Sequence, residues 1–293
     1  MVNYKYLPAG MAERLRNMKF VVKKPVVGLR QGLHKSPMHG ASVEFAEYRE
    51  YMPGDPPSLI DWAVYARSDR YVIRKFQEET NVKAYILLDT SESLLFQEEG
   101  PCNKMDYAFF LAAGLMYLLI HQGDLAGMMT FDSRLKKIFE PVGTLDGLQP
   151  LLLEMESIRP SGKSNIEASL HQAAQRIQSR SMVVIISDFL DEPSSILKGI
   201  HHLCHNGFEV LLYHILDRAE IHLPLEGILE LQELESKEKM IVDIKEIKDA
   251  YTKEILNYLH CMRSGAMECM ADYYFLDTRT PVEEALRNAA FRA

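Results

Sequence analysis

Leu87-Leu88-Asp89-Thr90-Ser91-Glu92-Ser93 ends an apolar run on one Asp followed by alternating hydroxyls, and Ile185-Ile186-Ser187-Asp188 ends another run on a second Asp. Between them in sequence, Gly162-Lys163-Ser164-Asn165 places a further hydroxyl at the entrance to a helical pattern. One or two carboxylates, neutral hydroxyls and retained waters form an all-oxygen octahedral set suited to Mg2+ or Mn2+. So small a protein charge leaves a coordination position open to an acidic residue of another protein. Asp89, Ser91, Ser93, Ser164 and Asp188 are therefore the candidate metal ligands, with Mg2+ or Mn2+ as cofactor and Glu92 as a solvated side chain among them. The competing explanation is that strand-end Asp and Ser residues only cap the helices that follow.

To bring these residues together, the chain must alternate strands with helices. From residue 82 onward it does so. Apolar strands are expected at 85–88, 125–131, 182–187, 209–216 and 273–276, separated by helices at 107–121, 148–158, 166–178, 196–205 and 245–263. Strands that are apolar throughout require a parallel sheet covered on both faces. The expected fold is a doubly wound, mostly parallel α/β domain over 82–293, interrupted by a hairpin insertion at 220–243. A segment over 1–81 precedes it and packs on it. In such sheets ligands bind beyond the carboxyl ends of the strands, where the strand order reverses, and both candidate aspartates lie at strand ends.

The element Asp89-Thr90-Ser91-Glu92-Ser93 resembles the Asp-x-Ser-x-Ser stretch of the metal-ion-dependent adhesion site in von Willebrand factor A-like domains. Ser164 and Asp188 fall where those domains carry a Thr and an Asp; Ser keeps the hydroxyl, while Lys163 adds a positive charge beside it. A second resemblance spans nearly the whole chain. Glu44-Phe45, Arg49-Glu50-Tyr51, Pro53-Gly54-Asp55, Ile60-Asp61-Trp62, Ala66-Arg67 and Arg74-Lys75-Phe76-Gln77-Glu78-Glu79-Thr80 are similar to the signature of the bacterial domain-of-unknown-function family 58 (DUF58). Leu216-Asp217, Ala219-Glu220, Leu223-Pro224, Asp277-Thr278, Pro281 and Ala285-Leu286 extend the match. The stretch Pro56-Pro57-Ser58-Leu59 departs from the charged or Arg-containing sequence often found there in the family. The resemblance implies a von Willebrand factor A-like interaction domain that works with an AAA+ ATPase of the MoxR type in chaperone-like maturation of other proteins. Many relatives carry membrane helices ahead of the signature, whereas none is expected here.

Arg49, Asp55, Asp61, Trp62, Arg67 and Arg74 form the densest polar and aromatic stretch. They read either as a partner surface or as a network in which Arg–carboxylate pairs and the lone Trp pin the N-terminal segment to the α/β domain. The first forty residues hold eight basic side chains (Lys5, Arg14, Arg16, Lys19, Lys23, Lys24, Arg30, Lys35) against one acid, Glu13. This arm is expected to lie on the protein's own acidic surface or to dock on an acidic partner. The whole chain of 293 residues carries a net charge of −8, which disfavours nucleic acid held through phosphate contacts. The longest apolar run, 107–120, falls short of the roughly 20 residues that cross a bilayer. Four cysteines without an export signal fit a reducing cytoplasm. No nucleophile elbow or phosphate loop follows a strand. Position 91 is Ser rather than the general acid of an aspartyl-phosphate phosphatase. A non-enzymatic binding module that meets an acidic client is the expectation, and a metal-dependent phosphohydrolase using the same carboxylates is the alternative.

Overall fold

The runs Tyr85-Ile86-Leu87-Leu88 and Val183-Val184-Ile185-Ile186 are wholly apolar, so each forms a strand only if both of its faces are covered. In the computed structural model, which describes residues 4–18, 20, 43–78, 81–178, 180–234 and 237–290, they are neighbours at the centre of a six-stranded sheet. Lys19, Lys23, Lys24, Arg30 and Lys35 of the basic arm, and Glu79 and Thr80 of the signature, lie outside the described residues. In chain order the elements are α1 (Ala9–Leu15), β1 (Val43–Glu50), α2 (Trp62–Ser68), β2 (Val72–Glu78), β3 (Lys83–Asp89), α3 (Lys104–His121), β4 (Leu125–Phe131), β5 (Leu135–Val142), α4 (Leu145–Ser157), α5 (Ile166–Arg176), β6 (Met182–Ser187), α6 (Pro193–His205), β7 (Glu209–Leu216), α7 (Arg218–His222), β8 (Ile228–Gln232), β9 (Lys239–Asp243), α8 (Ile244–Glu268), β10 (Asp272–Asp277) and α9 (Val282–Ala290).

The main sheet runs β10-β7-β6-β3-β4-β5, all parallel except the edge strand β5. This is the doubly wound, mostly parallel α/β architecture that the strand rhythm predicts. Alternation along the strands divides the core. Ala84, Ile86 and Leu88 of β3 face one cluster with Leu111, Leu115 and Leu118 of α3, while Tyr85 and Leu87 face the other with Ile166, Ile196 and Met262 of α5, α6 and α8. Each fully buried Leu or Ile contributes about 1.5–3 kcal/mol, so two such layers fix the strand ends firmly.

Three elements differ from expectation. Strand β5 was not foreseen, because Lys136, Lys137 and Pro141 dilute its apolar signal; Pro is tolerated there because the strand lies on an edge. The stretch 220–243 is not all hairpin: it overlaps α7, and only β8 and β9 pair, with Leu229 opposite Val242. The chain also divides into two compact units, one of Met1–Val26 with Val82–Ala293 and one of Val27–Asn81. The described residues 4–18 and 20 thus group with the α/β unit. Met11 and Leu15 of α1 are buried in the α3-side core, Lys5 pairs with Asp106 at 3.0 Å, and Arg14 pairs with Glu283. These two basic residues of the arm therefore lie on the protein's own acids.

In the unit Val27–Asn81, β1 and β2 pair antiparallel, with Tyr48 opposite Arg74 and a bulge between Phe45 and Glu47. Asp61 accepts the N–H groups of Ala63 and Val64 and so caps α2.

On β7, His214 is fully buried, ringed by Phe189, Tyr258, Tyr273 and Phe275, and its Nδ1 lies 2.7 Å from Tyr273 Oη. Burial pushes its pKa down from 6.5 to about 3; the charge of Asp188 opposes this and that of Lys104 adds to it. The unfolded chain takes up a proton below pH 6.5 that the folded chain refuses until about pH 3. The stabilisation is present above 6.5 and lost as pH falls, at about 1.4 kcal/mol per pH unit. Denaturant titrations between pH 7 and 4 should show His214→Phe losing less stability on acidification than the wild type, by a few kcal/mol on that scale. Parallel curves for the two proteins would refute the assignment.

Candidate metal centre

In the order β10-β7-β6-β3-β4-β5, the chain leaves β3 to one side for β4 and to the other for β6, so the strand order reverses between β3 and β6. Parallel strands end there with helices leading away, which leaves a crevice at their carboxyl ends. Asp89 closes β3, and Ser187 and Asp188 close β6.

The Asp89 carboxylate is fully buried and gathers donors from three segments. Its Oδ1 accepts the Ser91 N–H at 2.9 Å, which turns the chain sharply after β3. Its Oδ2 accepts Ser187 Oγ at 2.7 Å and Ser164 Oγ at 3.3 Å. Ser91 Oγ and Ser93 Oγ lie 3.0 Å apart. The loop carrying Ser164 is held against the β3 exit by backbone bonds, Ser161 N–H to Thr90 O and Glu92 N–H to Gly162 O, each 3.1 Å. Four of the five predicted ligands, Asp89, Ser91, Ser93 and Ser164, are therefore joined by one turn and one hydrogen-bonded loop. Burial, and then the neighbouring Asp188 charge, push the Asp89 carboxyl up to about 7, although the Ser187 and Ser91 donors favour its ionised form. A carboxylate so short of positive charge suits a cation.

Asp188 is placed differently. Its Oδ2 accepts the Lys104 ammonium at 2.8 Å, and Glu220 Oε1 takes the same ammonium at 2.6 Å. Lys104 and Asp188 are both buried. Burial opposes the charge on Lys104, but the two carboxylates outweigh it and hold the ammonium pKa above 10.5. Burial raises the Glu220 carboxyl even with Lys104 beside it. The cation beside this site is thus Lys104, whereas Lys163 is exposed. Glu92 departs from the solvated role expected of it, since its Oε2 pairs with Lys237 at 2.6 Å, and that contact holds its carboxyl below the usual range.

The donor set of Asp89, Ser91, Ser93 and Ser164, one carboxylate with three hydroxyls, fits a hard divalent ion with open positions. Asp188 fits less well, because its charge is already answered. Sequence reasoning missed Lys104, Ser187 and Glu220. Lys104 did leave a signal: it follows the Asn103 cap at the first position of α3, where a cation opposes the helix dipole and ordinarily lacks a reason to be.

The other candidate surface lies in the unit Val27–Asn81. Arg49 Nη2 meets both oxygens of Asp55 at 2.8 Å, and the Met52 N–H, followed by that guanidinium, holds the Asp55 carboxyl low. Asp61 caps α2 and accepts Tyr48 Oη at 3.1 Å. Trp62 is 57% exposed, with Tyr65 edge-on at 6.1 Å. Arg67 is exposed, and the side chain of Arg74 lies outside what the structure describes.

Comparison with solved structures places the fold beside BatB from Bacteroides thetaiotaomicron, at a TM-score of 0.51 and 16% identity over 71% of this chain and 97% of that one. An aerotolerance-related membrane protein from Bacteroides fragilis matches at 0.50 and 19% identity, over 73% and 100%. Among the described residues of this chain, no helix is long and apolar enough to cross a membrane. The uncharacterized protein Rv1480 of Mycobacterium tuberculosis is 29% identical over 231 residues, which cover 77% of this chain and 71% of that protein. The family model described as a protein of unknown function, DUF58, matches residues 47–258. A match of that extent makes this chain a member of the DUF58 family.

Proposed function

We propose that this protein is a non-enzymatic, cytoplasmic protein-binding module whose contact with its partner runs through a divalent ion. The observation that carries the reading is the gathering of Asp89, Ser91, Ser93 and Ser164 oxygens at the point where the strand order reverses. Mg2+ or Mn2+ held there would supply a positive point charge toward solvent. Asp89 provides the one negative ligand, Ser91 and Ser93 line up behind it on the same turn, and Ser164 comes from the facing loop. Asp188 stands behind this group through Lys104 or through water. An acidic residue of a client protein would then complete the coordination.

The resemblance to the family supports an AAA+ ATPase of the MoxR type as a second partner, with maturation of client proteins as the joint task. The four cysteines, all of them free thiols, fit a reducing compartment. Against a phosphohydrolase stands the chemistry around Asp89: the groups hydrogen-bonded to it are hydroxyls and an amide, none of them a general acid near neutral pH.

Calorimetric titration of the full chain with Mg2+ and Mn2+ should give saturable binding that Asp89→Ala weakens at least about 100-fold, since it removes the sole charged ligand. Binding that survives this substitution would sink the metal assignment. Capture from native lysate should retain an AAA+ ATPase, identified by mass spectrometry, in Mg2+ and lose it in chelator. Retention indifferent to the ion would detach the partner from this site. A phosphatase screen should find no turnover; turnover abolished by Asp89→Asn would install the hydrolase instead.

A further inference from the structure

Lys104 is held from three directions. Its backbone starts α3, directly after the Asn103 cap. Its ammonium, wholly shielded from solvent, is bonded to Asp188 Oδ2 at 2.8 Å and to Glu220 Oε1 at 2.6 Å, with the Phe96 ring 5.8 Å away. Glu220 is itself fixed, because its Oε2 accepts the Asp217 N–H at 2.7 Å in a capping box on α7. Among the described residues, the other oxygen of Asp188 receives only a long contact from the Leu190 N–H, at 3.4 Å. An ammonium bonded to a carboxylate offsets the charge, and takes one of the lone pairs, that a hard cation needs.

We propose that Lys104 is a positioning residue for the metal centre: it keeps Asp188 out of the inner coordination shell, so that Asp89 is the only protein carboxylate on the ion. The proposal rests on the metal-dependent reading above. A merely structural Lys104 would join α3, β6 and α7 and leave metal affinity untouched when removed.

Mn2+ affinity, read from the free-ion electron paramagnetic resonance signal, separates these roles in the full-length chain, with circular dichroism as the check on folding. Lys104→Met frees Asp188 to join the ion and should tighten Mn2+ more than about tenfold. The double variant Lys104→Met with Asp188→Asn removes the pair together and should stay within about tenfold of wild type. A folded Lys104→Met protein with unchanged or weaker affinity overturns the proposal, and so does a double variant that loses more than about tenfold. Should the two acids left without their cation prevent folding, Lys104→Met with Glu220→Gln leaves one acid and carries the same expectation. If the wild type takes up no Mn2+, the metal reading itself fails. The proposal is then overturned with it, whatever Lys104→Met does.

Discussion

A single ammonium group with no access to water lies where three elements converge. Lys104 comes from the start of α3, Asp188 from the exit of β6 and Glu220 from the first turn of α7, and their contacts span 2.6–2.8 Å. Losing one partner of such a buried pair costs about 3–5 kcal/mol, because the charge left behind has neither water nor a counter-ion. That penalty works as a constraint on geometry. As long as the three groups stay together, the β6 exit cannot drift from the α3 start, and Ser187, one residue before Asp188, stays 2.7 Å from Asp89.

The constraint reaches beyond the triad through Asp217. Burial would raise this carboxyl, but the N–H groups of Ala219, Glu99, Gly100 and Glu98 outweigh burial and hold it below the usual range. The loop 98–100 is thereby tied to the β7 exit just ahead of α3. Gly100 is needed there, because a Cβ would sit 2.4 Å from Thr278 Oγ1. The exits of β6 and β7 and the approach to α3 are thus one hydrogen-bonded assembly. The hydroxyl turn after β3 and the Ser164 loop stand beside it, attached through Asp89.

The sheet was legible in the sequence because its strands obey one simple rule: Tyr85-Ile86-Leu87-Leu88 and Val183-Val184-Ile185-Ile186 have no polar side chain to expose, so they must be central. Strand β5 obeys a weaker rule. At an edge one side is free, so Lys136 and Pro141 are permitted and the alternation fades. The hydroxyls that follow Asp89 were legible for the same local reason, since they lie within one turn of a strand end. The pairing of Asp188 was not, because its partner Lys104 lies 84 residues away. Pairing across such a separation leaves only an indirect trace: a cation at a helix start where the dipole disfavours it, by about 0.3–1 kcal/mol. Within the unit Val27–Asn81, Asp55 is held by Arg49 and Asp61 caps α2, while Trp62 is exposed.

The β8–β9 hairpin shows how unevenly the site's surroundings are held. Two strands alone are marginal in water, and Ile228, Met240 and Ile241 are largely exposed. The hairpin is continuous with α8 at its base, where the Ile244 N–H meets Gly227 O at 3.0 Å, and it touches the site through Lys237 and Glu92. Lys237 is 58% exposed, and pairs of this kind contribute at most about 1 kcal/mol and are weakened by salt. Glu92 sits between Ser91 and Ser93, so the same exposed contact reaches the turn that carries both hydroxyls. The buried Lys104 network therefore fixes the rear of the crevice, while its hairpin side is held by an interaction several-fold weaker.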